Sequence, residues 1–363
     1  MVPANLLCPV LVIGQQIKEI WNQVFSEVES EFEARLTLGF MGSPSAGKDS
    51  LIRALFGIDT GEISPIPGST KKARVFALNN ISSIRLLTAP GVGDAKKELT
   101  ERAHAALAEL DLVVLVISAQ SGVDRHLRKL IAETHCPLIV VLNKIDLLDD
   151  SASLPALIKH IAQIGGLDGA DIIPCAADPH PDLGPPQGLS QLSLRLAEVL
   201  EKSGKSLVLG RILKERDAVA GKLIDRAALS AGAVGVIPLP GPDFAPLTAI
   251  QTGLLLRLAR LYGVETSEKD VGALLMDILA GHAGKALFGR VSTMLRTAGW
   301  SSGALVGVTS VVAGGIAASV TYSLGHAGRA FYRDHSGLAN RIAEDVFGKE
   351  LDRQLDSLKS GHV

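Results

Sequence analysis

The sequence has little cysteine, few aromatics and no surplus of either charge. Cys8, Cys136 and Cys175 are its three cysteines, and none sits in a C-x-x-C pair. That excludes a disulfide framework and a zinc site of ordinary spacing, and points to a reducing cytoplasm. Aromatics are only 4% of the chain while apolar residues reach 47%. The apolar content therefore rests on Ala, Val, Leu and Ile, which suits buried strands and closely packed helices. Lys and Arg number 36 against 38 Asp and Glu, so there is no strong nucleic-acid signal. Met1–Asn5 carries no positive charge, and the apolar run Leu6–Ile13 is short and holds Pro9, so no secretory leader is expected. What is present is length for about two domains and a positive mean hydropathy, +0.29. The surplus is either core or membrane contact.

Along the chain, Ile17, Ile20, Trp21, Val24, Phe25, Val28 and Phe32 recur every three or four residues. This predicts an amphipathic helix over about 15–34, packed on the domain that follows. From Arg35 to Gly204 short apolar strands alternate with helical stretches. The strands are Leu36–Met41, Arg74–Leu78, Ile84–Leu87, Leu112–Ile117, Leu138–Leu142 and Ile172–Pro174. The helices are Asp49–Phe56, Lys97–Leu110, Arg125–Glu133, Leu154–Ile164 and Leu189–Glu201. Alternation of this kind predicts a doubly wound α/β domain with a mostly parallel sheet, its ligand sites at strand C-termini. After Gly204 no strand signal remains, and an all-α hydrophobic domain is expected. Helical patterns cover Leu207–Gly235, Phe244–Tyr262 and Lys269–Arg296, then a Gly/Ala/Ser/Val-rich stretch and an amphipathic tail, Ala339–Leu358. The expected layout is an N-terminal helix (1–34), the α/β domain (35–204), the helical domain (205–335) and a C-terminal helix (336–363).

The sharpest motif is Gly42-Ser43-Pro44-Ser45-Ala46-Gly47-Lys48, between a strand and a helix. Its glycines let backbone N–H groups turn inward onto phosphate oxygens. The helix N-terminus adds a positive dipole end, and Lys48 adds charge for the β- and γ-phosphates. Asn143-Lys144-Ile145-Asp146 follows another apolar strand. A carboxylate at Asp146 accepts from the guanine N1–H and exocyclic amine, and adenine presents the opposite pattern on that edge. The Lys144 stem can cover the base plane. Cys175-Ala176 ends a further strand, where a backbone N–H can reach the guanine O6.

On these residues the region 35–204 resembles a small Ras-like GTPase domain of the Era/TrmE type. The match also takes in Leu51–Gly57, Pro67-Gly68-Ser69-Thr70 and Ala89-Pro90-Gly91. The resemblance implies GTP and GDP as ligands, with Gly42, Ser45, Ala46, Gly47, Lys48, Asp49, Ser50, Gly91, Asn143, Lys144, Asp146, Cys175 and Ala176 around them. It aligns Thr70 with the first-switch Thr, which senses the γ-phosphate, and makes Lys48 and Thr70 the candidate catalytic residues. Residues from about 210 to 335 resemble a hydrophobic domain of unknown function shared by YcjF-type membrane proteins and certain GTPases. Ile237–Asp243, Leu258–Gly263 and Thr321–Gly325 carry that likeness.

Two departures concern Mg2+. The family places Ser or Thr after the P-loop lysine, where this chain has Asp49 followed by Ser50. It starts the second switch with Asp, where this chain has Thr88. Either Asp49 and Thr88 have exchanged roles around Mg2+, which takes oxygen ligands and retains waters, or metal dependence is lost. Without a metal, two unit charges at about 4 Å and an effective dielectric near 20 repel by roughly 4 kcal/mol. Water activation departs too. Val92 stands where Ras-type enzymes have Gln, and Ser45 stands where cation-dependent relatives have Asn. Hydrolysis is expected to be slow or completed by a partner, with a non-hydrolysing GTP-binding scaffold as the alternative.

Residues 297–328 contain no Lys, Arg, Asp or Glu, and Asp243 is the sole formal charge in 227–256. The first run is long enough to span a bilayer but is rich in Gly, Ser and Thr. Gly303-x-x-x-Gly307 suits close helix approach, and Gly314-Gly315 divides the run into arms that favour a helical hairpin. These stretches form either a small-residue core or a contact with a membrane surface or membrane protein, placing the chain peripherally or hairpin-inserted at the cytoplasmic face of the inner membrane. A homodimer is a further expected partner state.

Overall fold

The computed structural model describes residues 4–58, 74–78, 81–88, 110–121, 131–132, 134–148, 153–236, 245–280, 306–333 and 339–360. The chain divides into two compact units, Glu33–Val219 and a second built from Met1–Phe32 with Ala220–Val363.

The first unit is built on a six-stranded sheet. Its strands are β1 (Leu36–Gly42), β2 (Arg74–Leu78), β3 (Ile81–Thr88), β4 (Leu112–Ser118), β5 (Leu138–Asn143) and β6 (Ile172–Pro174), in the order β2-β3-β1-β4-β5-β6. β1 pairs parallel with β3 and β4, β4 with β5, and β5 with β6. Only β2 runs antiparallel, on β3. Every residue of β4 is buried, the expected state of a central parallel strand covered on both faces. On one face Met41, Val113, Leu115, Ile117, Val140 and Leu142 pack with Ile161 of the helix Leu154–Gly165. That helix, here α3, follows α1 (Ala4–Glu33) and α2 (Lys48–Phe56) and precedes α4 (Leu189–Glu201) and α5 (Ser206–Ile212).

The boundary with the helical unit falls at 219/220, within α6 (Arg216–Val236), not at 204/205. Local contacts explain the shift. Lys205 pairs with Asp111 at 2.6 Å, and the Lys214 amide donates to the Leu55 carbonyl at 2.8 Å. The single helix expected over 207–235 is two, α5 and α6, with a break at Leu213.

The helical unit contains α7 (Ala245–Leu261), α8 (Glu268–Ala280), α9 (Val306–Arg333) and α10 (Ala339–Ser360). α1 belongs here rather than with the α/β unit. Arg257 of α7 grips Glu27 at 2.9 Å and Glu31 at 2.7 Å, Arg260 binds Glu29 at 2.6 Å, and the Arg260 guanidinium lies over the Phe25 ring. α1 also starts at Ala4 instead of Gln15; an all-apolar run carries no helical period to read. α10 is likewise part of this unit rather than a separate tail. Ala343, Phe347, Leu351 and Leu355 are buried at four-residue spacing, one stripe down the helix.

The charge-free stretches resolve differently from the expected hairpin. Residues 306–333 form one helix that continues through Gly314-Gly315. Glycine weakens a helix interior by about 1 kcal/mol, and here close packing offsets that cost. A Cβ on Gly314 would sit 2.8 Å from the Gly232 carbonyl and 2.5 Å from Val236 Cγ2 of α6, and one on Gly315 would meet Leu358 of α10 at 3.0 Å. α7 is buried along most of its length, Thr248 and Gln251–Leu256 included. Among the described residues no helix is long and apolar enough to cross a membrane. Residues 237–244 and 297–305, with Gly303, lie outside the described residues.

Three helices meet around His326. Its Nδ1 accepts from Arg329 Nη2 at 3.1 Å, and its ring lies 4.4 Å from that of Tyr322. Burial, then Arg329, pushes its pKa below the ordinary 6.5; Glu350 of α10 and Asp225 of α6 oppose the shift, while Arg353 of α10 adds to it.

Two tests follow from this packing. Gly314→Val should lower the unfolding free energy of the full chain, read by urea titration, by about 1–3 kcal/mol through overpacking, whereas Gly272→Ala should raise it by about 0.5–1 kcal/mol, since a methyl there meets nothing within 4 Å. The depressed His326 pKa means that the unfolded chain binds more protons just below pH 6.5. Stability should therefore fall as pH drops from 6.5 through that window and level off below the folded pKa. His326→Gln should flatten that slope in urea titrations run at several pH values.

Candidate nucleotide-binding site

The site lies at the C-terminal edge of the sheet. β1 runs into the P-loop at Gly42, whose φ of 141° and close approach to β4 both demand glycine: a Cβ would sit 2.0 Å from the Val116 carbonyl. Gly47 opens α2 at φ 90°, where a Cβ would strike Asn143 Nδ2 at 2.3 Å. Ser45 at φ 58° and Lys144 at φ 65° are the non-glycine residues with positive φ among the described residues. Both fall in this site, and such conformations cost about 1–3 kcal/mol each unless their surroundings enforce them.

Lys48 is buried, and its Nζ donates to the carbonyls of Gly42 at 3.1 Å and Ser43 at 3.0 Å. Burial pushes its pKa below 10.5, with Asp49 pulling the other way. No ion pair with a carboxylate holds this ammonium among the described residues. A desolvated cation beside a helix N-terminus and strained backbone suits an anionic ligand.

Asn143 joins the two halves of the site. Its buried Nδ2 donates to the Ala46 carbonyl in the P-loop at 3.0 Å, and its Oδ1 accepts from the Ala177 amide after β6 at 3.1 Å. The Lys144 stem reaches Gly47, its Cε 3.9 Å from where a Cβ would stand. Asp146 sits half-buried on the turn Ile145–Leu147, which is pinned by the Ile145 amide on the Cys175 carbonyl at 3.2 Å.

The expectation for Cys175 and Ala176 needs correction. Neither amide is free for a base: Cys175 donates to the Leu142 carbonyl at 2.8 Å and Ala176 to the Gln187 carbonyl at 3.1 Å. The Cys175 amide is taken by Leu142 of the neighbouring strand β5, and the Ala176 amide by an isolated antiparallel bridge to Gln187, which no local sequence pattern announces. The next amide, Ala177, is the one held by the Asn143 side chain. The Cys175 thiol is buried and pushed up to about 12, which leaves it inert.

Asp49 lies half-buried in the first turn of α2. Ser50 turns away from the phosphate end, its Oγ donating to Asp178 at 3.3 Å, and Arg53 binds the same carboxylate oxygen at 2.7 Å. Sequence reasoning missed Asp178 and Arg53. The available signal was the three-residue spacing of Ser50 and Arg53, which puts both on one helix face. Thr88 ends β3 in register with Phe40 of β1. Thr70, Gly91 and Val92 lie outside the described residues.

A parallel sheet whose edge gathers a P-loop, its buried lysine and an Asn-Lys-x-Asp turn defines a P-loop nucleotide-binding domain. Comparison with known proteins agrees. Residues 37–144 match the family model described as 50S ribosome-binding GTPase, and residues 202–353 match a domain of unknown function, DUF697. The tRNA modification GTPase MnmE of Halorhodospira halophila is 32% identical over 158 residues, covering 41% of this chain and 33% of that protein. GTPase Era of Aquifex aeolicus is 30% identical over 158 residues, 37% of this chain and 52% of that one. A crystal structure of Aquifex aeolicus Era bound to GDP and aluminium fluoride is 24% identical, covers 53% of this chain and 66% of that one, and gives a TM-score of 0.35. The chain spans a third to about half of the length of these two curated relatives. Its residues 37–144 are thus Era/TrmE-like P-loop GTPase sequence, and the helical region that follows matches DUF697.

Removing the Asn143 side chain should orphan the Ala46 carbonyl and the Ala177 amide. Each such loss is worth about 1–3 kcal/mol, so Asn143→Ala should bind a fluorescent GDP analogue at least about tenfold more weakly, as read by equilibrium titration.

Proposed function

We propose that this chain is a guanine-nucleotide switch with slow or partner-stimulated GTP hydrolysis, its state read by the helical unit. The observation that carries the reading is the Asn143 tie, which sets the Asp146 turn and the P-loop as two walls of one site. In this reading P-loop amides and Lys48 hold the phosphates, with Lys48 released from the Gly42 and Ser43 carbonyls as it turns to them. Asp146 selects guanine through two hydrogen bonds, and Lys144 covers the base. Thr70 senses the γ-phosphate. Val92 cannot orient water, which is why hydrolysis is slow.

The donors present suit Mg2+, which prefers hard oxygen ligands. Asp49 would hold it from the first turn of α2, with the Thr88 hydroxyl in its outer shell. When bound, Mg2+ neutralises phosphate charge. One observation favours the alternative, a non-hydrolysing scaffold: the Ser50 hydroxyl is committed to Asp178 and does not replace the missing P-loop hydroxyl. The helical unit would respond through its own surface, where Leu229 and Val236 of α6 stand exposed. Peripheral attachment at a cytoplasmic membrane face through 227–256 and 297–328 is part of the same proposal.

The deciding measurement is binding and single-turnover hydrolysis of GTP, GDP and ATP, with and without Mg2+. GTP and GDP should bind, and ATP at least about a hundredfold more weakly, two lost hydrogen bonds being worth that much. Asp49→Ser and Thr88→Asp should each lose Mg2+-dependent affinity, and the double variant should regain it. Single variants that gain affinity additively would rule out the exchange, and absence of turnover in the wild type would establish the scaffold.

A further inference from the structure

We infer that Asp178 is a positioning residue of this site, and that its strap to α2 sets how long a nucleotide stays bound. The inference rests on the nucleotide reading above and adds a determinant of release to it.

Two straps join the loop after β6 to the phosphate-binding segment. The inner one is Asn143, 2% exposed, between the Ala46 carbonyl and the Ala177 amide. The outer one begins at the very next residue. Asp178 Oδ2 accepts from Ser50 Oγ at 3.3 Å and from Arg53 Nη2 at 2.7 Å. Ser50 follows Lys48 and Asp49 in the first turn of α2, and Arg53 stands one turn on. The Ala176–Gln187 bridge pins the two ends of the loop that carries Asp178, so tension on Asp178 passes directly to Ala177.

In a two-walled site the ligand leaves when the walls part, so a bond between the walls slows departure more than arrival. The outer strap differs from the inner one in a measurable way. Arg53 and Asp178 are 44% and 49% exposed, so salt screens their attraction, whereas the buried amide bonds are screened far less. Half-exposed pairs contribute modestly, and the added Ser50 bond brings the expected effect to about threefold to tenfold in rate.

The test uses the full-length chain loaded with N-methylanthraniloyl-GDP and chased with excess GDP. Asp178→Ala and Arg53→Ala should each speed release about threefold to tenfold, with association unchanged within about twofold, and the double variant should be no faster than the faster single. Asp178→Asn keeps the acceptor oxygen and should fall between wild type and Asp178→Ala. The charge-swapped pair, Asp178→Arg with Arg53→Asp, should restore slow release, which a loss of folding could not mimic. Raising salt from about 0.05 to about 0.5 M should speed release from wild type and leave Asp178→Ala unmoved. Release that is unchanged or slowed in the alanine variants, or effects that add, would overturn the strap. If the wild type binds no GDP analogue, the nucleotide reading itself falls and this inference with it.

Discussion

The α/β unit depends on one buried side chain having both ends satisfied. Asn143 ends β5, and its amide spans from the P-loop to the segment after β6. Those two segments are more than a hundred residues apart in the chain. A buried amide left unpaired costs more than its bonds gain in water, so the two loops are held in register by what each would lose alone. The strained backbone at Ser45 and Lys144 flanks this tie, and the ordering of both loops is what sustains such φ values.

The helical unit meets a different constraint. Where α6 meets α9 it has small residues in place of large side chains, so helix backbones come together there. Gly314 lets α6 approach α9, and Gly315 admits Leu358 of α10. Dispersion over close contacts does there what large aromatic side chains do in other cores. The same small residues made the sequence read as a membrane candidate. The Arg257 fork on Glu27 and Glu31 then fastens α1 to this bundle, although the chain runs from α1 almost directly into β1.

Much of this was legible in the sequence. β2 and β6 lie at their expected bounds, as does α4, because short apolar strands and an amphipathic helix are local signals. The P-loop and Asn143–Asp146 were legible because their chemistry needs fixed residue types at fixed spacing, and Gly42 and Gly47 adopt the positive φ that only glycine takes without strain. Other features were not legible. The Ala176–Gln187 bridge, which removes one of the two expected base-binding amides, joins segments with no shared pattern. Asp178 and Arg53 looked like ordinary surface charges, since their pairing depends on where two distant loops end. The hairpin expected at Gly314-Gly315 failed because a glycine pair breaks a helix only when nothing packs against it.

The sequence by itself determined the order of elements, the parallel sheet and the residues able to meet phosphate and guanine, since periodicity, turn chemistry and hydrogen-bonding groups are local properties. Tertiary structure decided which of those groups remain available. It assigned the Cys175 amide to β5, the Ala176 amide to Gln187, the Ser50 hydroxyl to Asp178, and α1 to the helical unit. Each of these is a competition between partners far apart in the chain. Its outcome follows from the cost of leaving a buried polar group unpaired, which exists only once the distant segments have met.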